Sequence, residues 1–169
     1  MMKYFGSAYK FGSLGGLFCL VSFLFLAWLY GDPTNLNLVF GYIIVPIVIF
    51  LAIKYFKDYT NEGMLSFSEG MSVGFVAYMI LGIISGLGIW LVLLISDDLF
   101  QSILSAKLQI LAENKDMIIG QVGEKSFDTT KNSINEMTAL DVALNDSLWK
   151  IIPGLFFTII ISIILRKTQ

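Results

Sequence analysis

The chain has 169 residues, 56% of them hydrophobic and 14% charged; an ordinary soluble domain has about 25% charged residues, so this is the composition of a membrane protein. Its formal charge of −2, from 11 basic and 13 acidic residues, leaves no cationic footprint for nucleic acid, whose binding depends on clustered Lys and Arg neutralising phosphates. With no histidine and the single Cys19 inside an apolar run, disulfides, Cys/His metal sites, histidine general bases and Cys–His nucleophiles are excluded together. We therefore expect no enzyme, no catalytic residue, no cofactor and no metal.

Residues 11–30 form the first long apolar run. At ~1.5 Å per residue, about 20 helical residues cross a hydrocarbon layer of ~30 Å. No small-x-small cleavage pattern follows, so we expect this run to remain as a first span. Gly12 and Gly16, four apart, are expected to let another helix come close. Residues 32–37 read as a polar turn and 38–56 as a second span, closed by Lys54, Tyr55, Phe56 and Lys57. Inside it Pro46 removes a backbone donor and is expected to kink the helix. Residues 57–69, KDYTNEGMLSFSE, make a polar connector. Asn61-Glu62-Gly63 signals a turn there, and Ser66-x-x-Glu69 is a capping box that opens the next helix.

The third span, 70–96, holds no charge. Gly70, Gly74, Gly82 and Gly86 fall on a four-residue step with Tyr78 in the middle place, so the small residues form a seam down one face, where a second helix can pack. Residues 97–147 are too long for a turn and need structure of their own. Leu99, Phe100, Ile103, Leu104, Leu108, Leu111, Ile118 and Val122 recur at helical spacing, which suggests that the third helix continues out of the bilayer as an amphipathic rod ended by Gly120 and Gly123. Residues 123–130, GEKSFDTT, read as a tip. Ile134, Met137, Leu140, Leu144 and Leu148 then repeat as a returning amphipathic helix. The result is an extramembrane helical hairpin whose apolar stripes are expected to bind a partner.

The last span is expected at 148–165, with Pro153 as a second kink and Arg166-Lys167 at its end. Lys150 is placed where its stem can snorkel to water, which leaves the centres of all four spans without an ionisable group and argues against ion-coupled transport. The cations Lys3, Lys10, Lys54, Lys57, Arg166 and Lys167 crowd into short segments on one side, whereas Lys107, Lys115, Lys125, Lys131 and Lys150 are spread over the hairpin side. The denser side is expected to be cytoplasmic, with both termini inside and the hairpin outside.

Four spans, the Gly-Met-Leu-Ser-Phe-Ser-Glu-Gly connector at 63–70, the long charged insertion and the Gly-Leu-Phe-Phe-Thr-Ile-Ile-Ile-Ser-Ile-Ile-Leu-Arg-Lys run at 154–167 resemble a family of small Bacteroidota inner-membrane proteins known as domain of unknown function 4199. The resemblance covers the whole chain. It implies a Gram-negative inner membrane, a periplasmic hairpin and, through gene neighbourhood, a polyprenyl-phosphate glycosyltransferase as a partner; it carries no catalytic residue. The fold expected is all-α, a single membrane domain over 1–169 built as a four-helix bundle with the hairpin between spans three and four.

The leading functional expectation is a non-enzymatic scaffold or accessory subunit, a homo-oligomer or the companion of a membrane protein. The alternative is a small-solute or lipid transporter or channel without intramembrane charge coupling. A surface enzyme using Asp97 and Asp98 is disfavoured because adjacent helical acids point about 100° apart. A sensor would need a partner for its output, since the cytoplasmic segments are too short for an output module.

Overall fold

Helix starts in this chain are written by short polar side chains that satisfy otherwise orphaned backbone donors. In a computed structural model describing residues 2–168, Ser66 and Glu69 cap each other's backbone N–H groups and open one helix. Thr138 and Asp141 do the same for another. Among the described residues there are seven α-helices and no β-strand: α1 (Met2–Tyr30), α2 (Thr34–Tyr55), α3 (Phe67–Ile95), α4 (Asp97–Glu113), α5 (Lys115–Val122), α6 (Glu124–Asn135) and α7 (Ala139–Leu165). A π-helical turn, Phe56–Thr60, extends α2. Helices α1, α2, α3 and α7 are long and apolar enough to cross a membrane. Their outward faces expose Leu17, Phe25, Ile43, Phe156 and Ile163, a liability in water and the expected solvent-facing surface in lipid.

Helix α3 stands between α1 and α7, and small residues set both contacts. A Cβ on Gly12 would lie 2.6 Å from the Ala77 carbonyl oxygen, and one on Gly16 would lie 2.9 Å from that of Leu81. On the other flank Gly70 faces Ser162, Gly74 faces Thr158, Gly82 faces Ile151 and Gly86 faces Ser147. The relation reverses once: Gly154 of α7 makes room for the Tyr78 ring, whose Cγ would be 2.7 Å from an added Cβ. Helices pass unbroken through Pro46 and Pro153.

The apolar interior falls into two clusters. One, towards the termini, contains Val45, Ile49, Ala52, Phe56, Ala77 and Leu81; the other, towards the hairpin, contains Phe23, Ile89, Leu93, Ile103, Val142 and Ala143. At the terminal end the chain is tied by an isolated antiparallel bridge between Leu65 and Lys167 and by the Lys3 ammonium donating to Asn61 Oδ1 at 2.6 Å. The expected turn at 61–63 is a left-handed corner, with φ 53° at Glu62 and 79° at Gly63.

Two expectations about 97–165 need correction. The third helix does not run on as a rod: it stops at Ile95, the chain bends at Ser96 and again at Asn114, and the expected tip is mostly the helix α6, entered through Gly123 at φ 82°. A left-handed φ of that size is open to glycine and costly for most other residues, so Gly123 fixes the reversal. The returning helix is also not a separate element. Ile134 belongs to α6 and Met137 to the link, while Leu140 and Leu144 sit in α7, whose capping box starts it at Ala139 rather than 148. Hydropathy hid that start because Asp146 and Lys150, which lower it, are paired inside the fold.

Candidate functional site

Between the two apolar clusters, Asn37 of α2, Ser85 of α3 and Asp146 and Lys150 of α7 come together. Asp146 and Lys150 are one helical turn apart, the acid on the N-terminal side, the better orientation for an i,i+4 pair. The same four-residue step continues to Gly154, Thr158 and Ser162, all buried, so this is the face α7 turns to the bundle. Lys150 is 1% exposed, Asp146 6%, and Asn37 and Ser85 0%. An ionic pair this deep requires partners for its remaining hydrogen-bonding capacity.

Those partners are present. The Lys150 ammonium donates to Asp146 Oδ2, closing an ion pair, and to Ser85 Oγ at 3.1 Å. The Ser85 hydroxyl donates in turn to Asp146 Oδ2 at 3.1 Å, and the Asn37 amide nitrogen donates to Oδ1 at 2.8 Å. The amide oxygen of Asn37 is buried without a donor. Turning the amide over would set that oxygen against the carboxylate, so the orientation is imposed by Asp146. The stem of Lys150 runs across Gly41, where a Cβ would lie 3.2 Å from both Cγ and Cε.

The expectation that Lys150 snorkels to water is thus overturned: the side chain is 1% exposed and its ammonium is held by Asp146 and Ser85. Helix α7 has 27 residues, ~40 Å at ~1.5 Å each, about 10 Å more than the hydrocarbon layer. Lys150 lies ~16 Å along it from Ala139. At that position the side chain is enclosed by the bundle rather than open to solvent. The side chain turns inward because Gly41 leaves space for the stem and Asp146 and Ser85 meet the head.

A cavity of about 320 Å³ reaches the pair from the hairpin side, with Asp146 in its wall beside Phe23, Thr34, Lys107, Met137 and Asn145. Lys107 of α4 donates to Thr34 Oγ1 at 3.3 Å, and the Asp146–Lys150 ion pair is the single one among the described residues, so Lys107 has no carboxylate partner there. Lys107 and Met137 also line a more open groove of about 590 Å³ under the hairpin, with Asn35, Asn114, Met117 and Ile134. The cavity and the groove therefore meet at Lys107.

The hairpin's apolar residues are divided between uses. Ile103 is fully buried against the bundle, and Leu99 and Phe100 pack on the same cluster. Leu111 is buried, as is Phe127 of α6; Leu104 and Leu108 are half-buried. Leu140 and Leu144 remain exposed and line an apolar groove of about 240 Å³ with Trp90 and Leu87. Sequence reasoning missed Asn37, Asp146 and Gly41; the Asp146-x-x-x-Lys150 spacing on the face of Gly154, Thr158 and Ser162 was the available signal. Among the described residues, no three His, Cys, Asp or Glu side chains lie together as metal ligands.

A family model described as a protein of unknown function, DUF4199, matches residues 10–167. No curated protein and no solved structure matches the chain.

Proposed function

The chain belongs to the DUF4199 family, and we propose that it is a non-enzymatic multi-pass membrane protein that binds and passes a small polar solute or ion through the centre formed by Asp146 and Lys150. One observation carries this reading: Asp146, paired with Lys150 inside the helix bundle, lines a cavity that approaches from the hairpin side. Charges at membrane depth are costly, and where they persist facing a bundle interior they mark ion or substrate paths. The sequence-based case against coupled transport rested on span centres without an ionisable group; Asp146 and Lys150 lie in the hairpin-side half of α7, where a solute arriving through the cavity would meet Asp146. Flux of labelled ions or small solutes into proteoliposomes, compared with empty vesicles and with an Asp146→Asn/Lys150→Met double variant, tests the reading. Flux lost in the double variant supports it; flux equal to that of empty vesicles for every solute tried opposes it.

A scaffold or accessory subunit is the second reading, supported by the apolar side chains the hairpin region leaves exposed: Ile110, Met117, Val122, Leu140 and Leu144. These would meet a second copy of the chain or a membrane enzyme such as a polyprenyl-phosphate glycosyltransferase. Purification from native membranes in mild detergent, with native mass measurement, separates the two: a stoichiometric companion favours the scaffold, and a lone chain with measurable flux excludes it. In both readings the site is a bacterial inner membrane with cytoplasmic termini and a periplasmic hairpin, supported by the crowding of Lys and Arg at the terminal end.

A further inference from the structure

The hairpin-side cavity carries a second pair of opposite charges, one that does not close. Lys107 reaches it from α4, half-buried, and Asp141 from the first turn of α7, open to solvent. The Lys107 ammonium donates to Thr34 Oγ1 at 3.3 Å, which uses one of the three donors an ammonium carries. Asp141 accepts from the backbone N–H and the hydroxyl of Thr138, both on Oδ2, which leaves Oδ1. Among the described residues the only ion pair is Asp146–Lys150, so Lys107 and Asp141 line one cavity without meeting. Asp146, also in the wall, has its oxygens engaged by Asn37, Ser85 and Lys150.

We propose that the space between Lys107 and Asp141 is a site for a small zwitterion of the amino-acid type, with its carboxylate on the Lys107 ammonium and its own ammonium on Asp141. The inference rests on the reading that a solute enters from the hairpin side, and it names the class of that solute. Charge decides the class. A lone anion at Lys107 would also face Asp141 and, behind Thr34, the Asp32 carboxylate that accepts the Thr34 hydroxyl at 2.7 Å. A lone cation at Asp141 would face Lys107. Either would carry a net charge towards the bundle interior, where an unbalanced charge is costly. A zwitterion meets both groups and adds no net charge.

Size and lining agree with that class. Phe23, Leu38 and Val142 give the cavity an apolar wall for an aliphatic body. Its volume of about 320 Å³ is at the small end of ligand pockets, which begin at ~300 Å³, and suits a solute of amino-acid size. Lys107 and Met137 belong to the outer groove as well, so a solute coming through the groove passes Lys107 on its way in.

The test is equilibrium binding to the full chain in detergent, with radiolabelled glycine, β-alanine, γ-aminobutyrate and ε-aminocaproate, whose two charges stand progressively further apart. Each is compared with its two singly charged analogues, which for γ-aminobutyrate are butyrate and propylammonium. At least one zwitterion should bind saturably, and about tenfold or more tightly than its analogues, each of which leaves one charged wall group unmet. Lys107→Gln and Asp141→Asn should each weaken that binding about tenfold or more, with folding checked by gel filtration; asparagine still caps α7. Lys115→Gln, on the exposed hairpin surface, should leave binding unchanged. Absence of saturable binding by all four zwitterions overturns the inference. So does equal binding of the singly charged analogues, undiminished binding in folded Lys107→Gln and Asp141→Asn protein, or an equal loss in Lys115→Gln. If no zwitterion binds while proteoliposomes carry an inorganic ion, the inference fails and the proposed function stands. If a zwitterion binds and no solute is carried, the site stands and passage through the centre fails.

Discussion

The contact between α3 and α7 is made in two ways along its length. Towards the termini it is a fit of small residues, with Gly70 and Gly74 against Ser162 and Thr158, and Gly154 under Tyr78. Towards the hairpin Gly82 and Gly86 still make room for Ile151 and Ser147, but a polar contact is added, with Ser85, joined by Asn37 of α2, holding Asp146 and Lys150. In lipid, burial of apolar side chains does little to drive helices together, so association needs either backbone approach or hydrogen bonding across the interface. The first half fixes distance, and the second adds register, because its partners match at one alignment only. The small-residue half has no evident chemistry beyond packing, whereas the polar half carries a buried charge pair with access from a cavity.

The largest expected effect comes from splitting the pair. Lys150→Met leaves Asp146 buried without its counter-ion and should destabilise the protein by about 3–5 kcal/mol, whereas Asp146→Leu/Lys150→Met, which removes both charges, should recover most of that loss. Reversible unfolding in mixed micelles of the wild type, Lys150→Met, Asp146→Leu and the double variant gives the four free energies of the cycle; additive single losses would mean that the two side chains do not interact. Next is the packing half, where Gly74→Val pushes a branched side chain into Thr158. It should cost about 1–3 kcal/mol by overpacking, and the companion Thr158→Ala should relieve part of it in the same assay.

Helix starts come third. Ser66→Ala and Thr138→Ala each remove a capping side chain, and each should cost about 1 kcal/mol. Amide exchange should report the loss as faster exchange in the first turn of α3 and of α7, respectively. Asn37→Leu should cost somewhat less than its hydrogen bond suggests, on the order of 0.6 kcal/mol for a membrane hydrogen bond, since the change also removes an unpartnered oxygen. Smallest of all is Leu144→Ser, at an exposed position, expected within about 0.5 kcal/mol. A large loss there would mean that another surface covers α7.

Most of the bundle was legible because long uncharged runs have few alternatives in length or helicity. Ser66-x-x-Glu69 was also readable, being a local pattern whose two hydrogen bonds span three residues. The start of α7 was written in the same language at Thr138-x-x-Asp141, yet the charges that follow suggested an extramembrane helix. Those charges became compatible with the bundle only through partners remote in sequence, Asn37 and Ser85, and no local pattern discloses which helices will face each other at that depth. The hairpin's periodicity was real in the sequence, but a helical stripe does not say which surface claims it: Ile103 went to the bundle, Leu111 and Phe127 were buried within the hairpin region, and Leu140 and Leu144 fell on another helix.

The central claim, that Lys150 is held inside the spans by Asp146, is tested most directly by amine labelling. Intact protein in membranes is treated with a water-soluble acylating reagent and each lysine is read by peptide mass spectrometry. Lys115, Lys125 and Lys131, exposed on the hairpin, should be modified while Lys150 stays unmodified until the protein is unfolded. Modification of Lys150 at the rate of those three would place its ammonium in water and contradict the account.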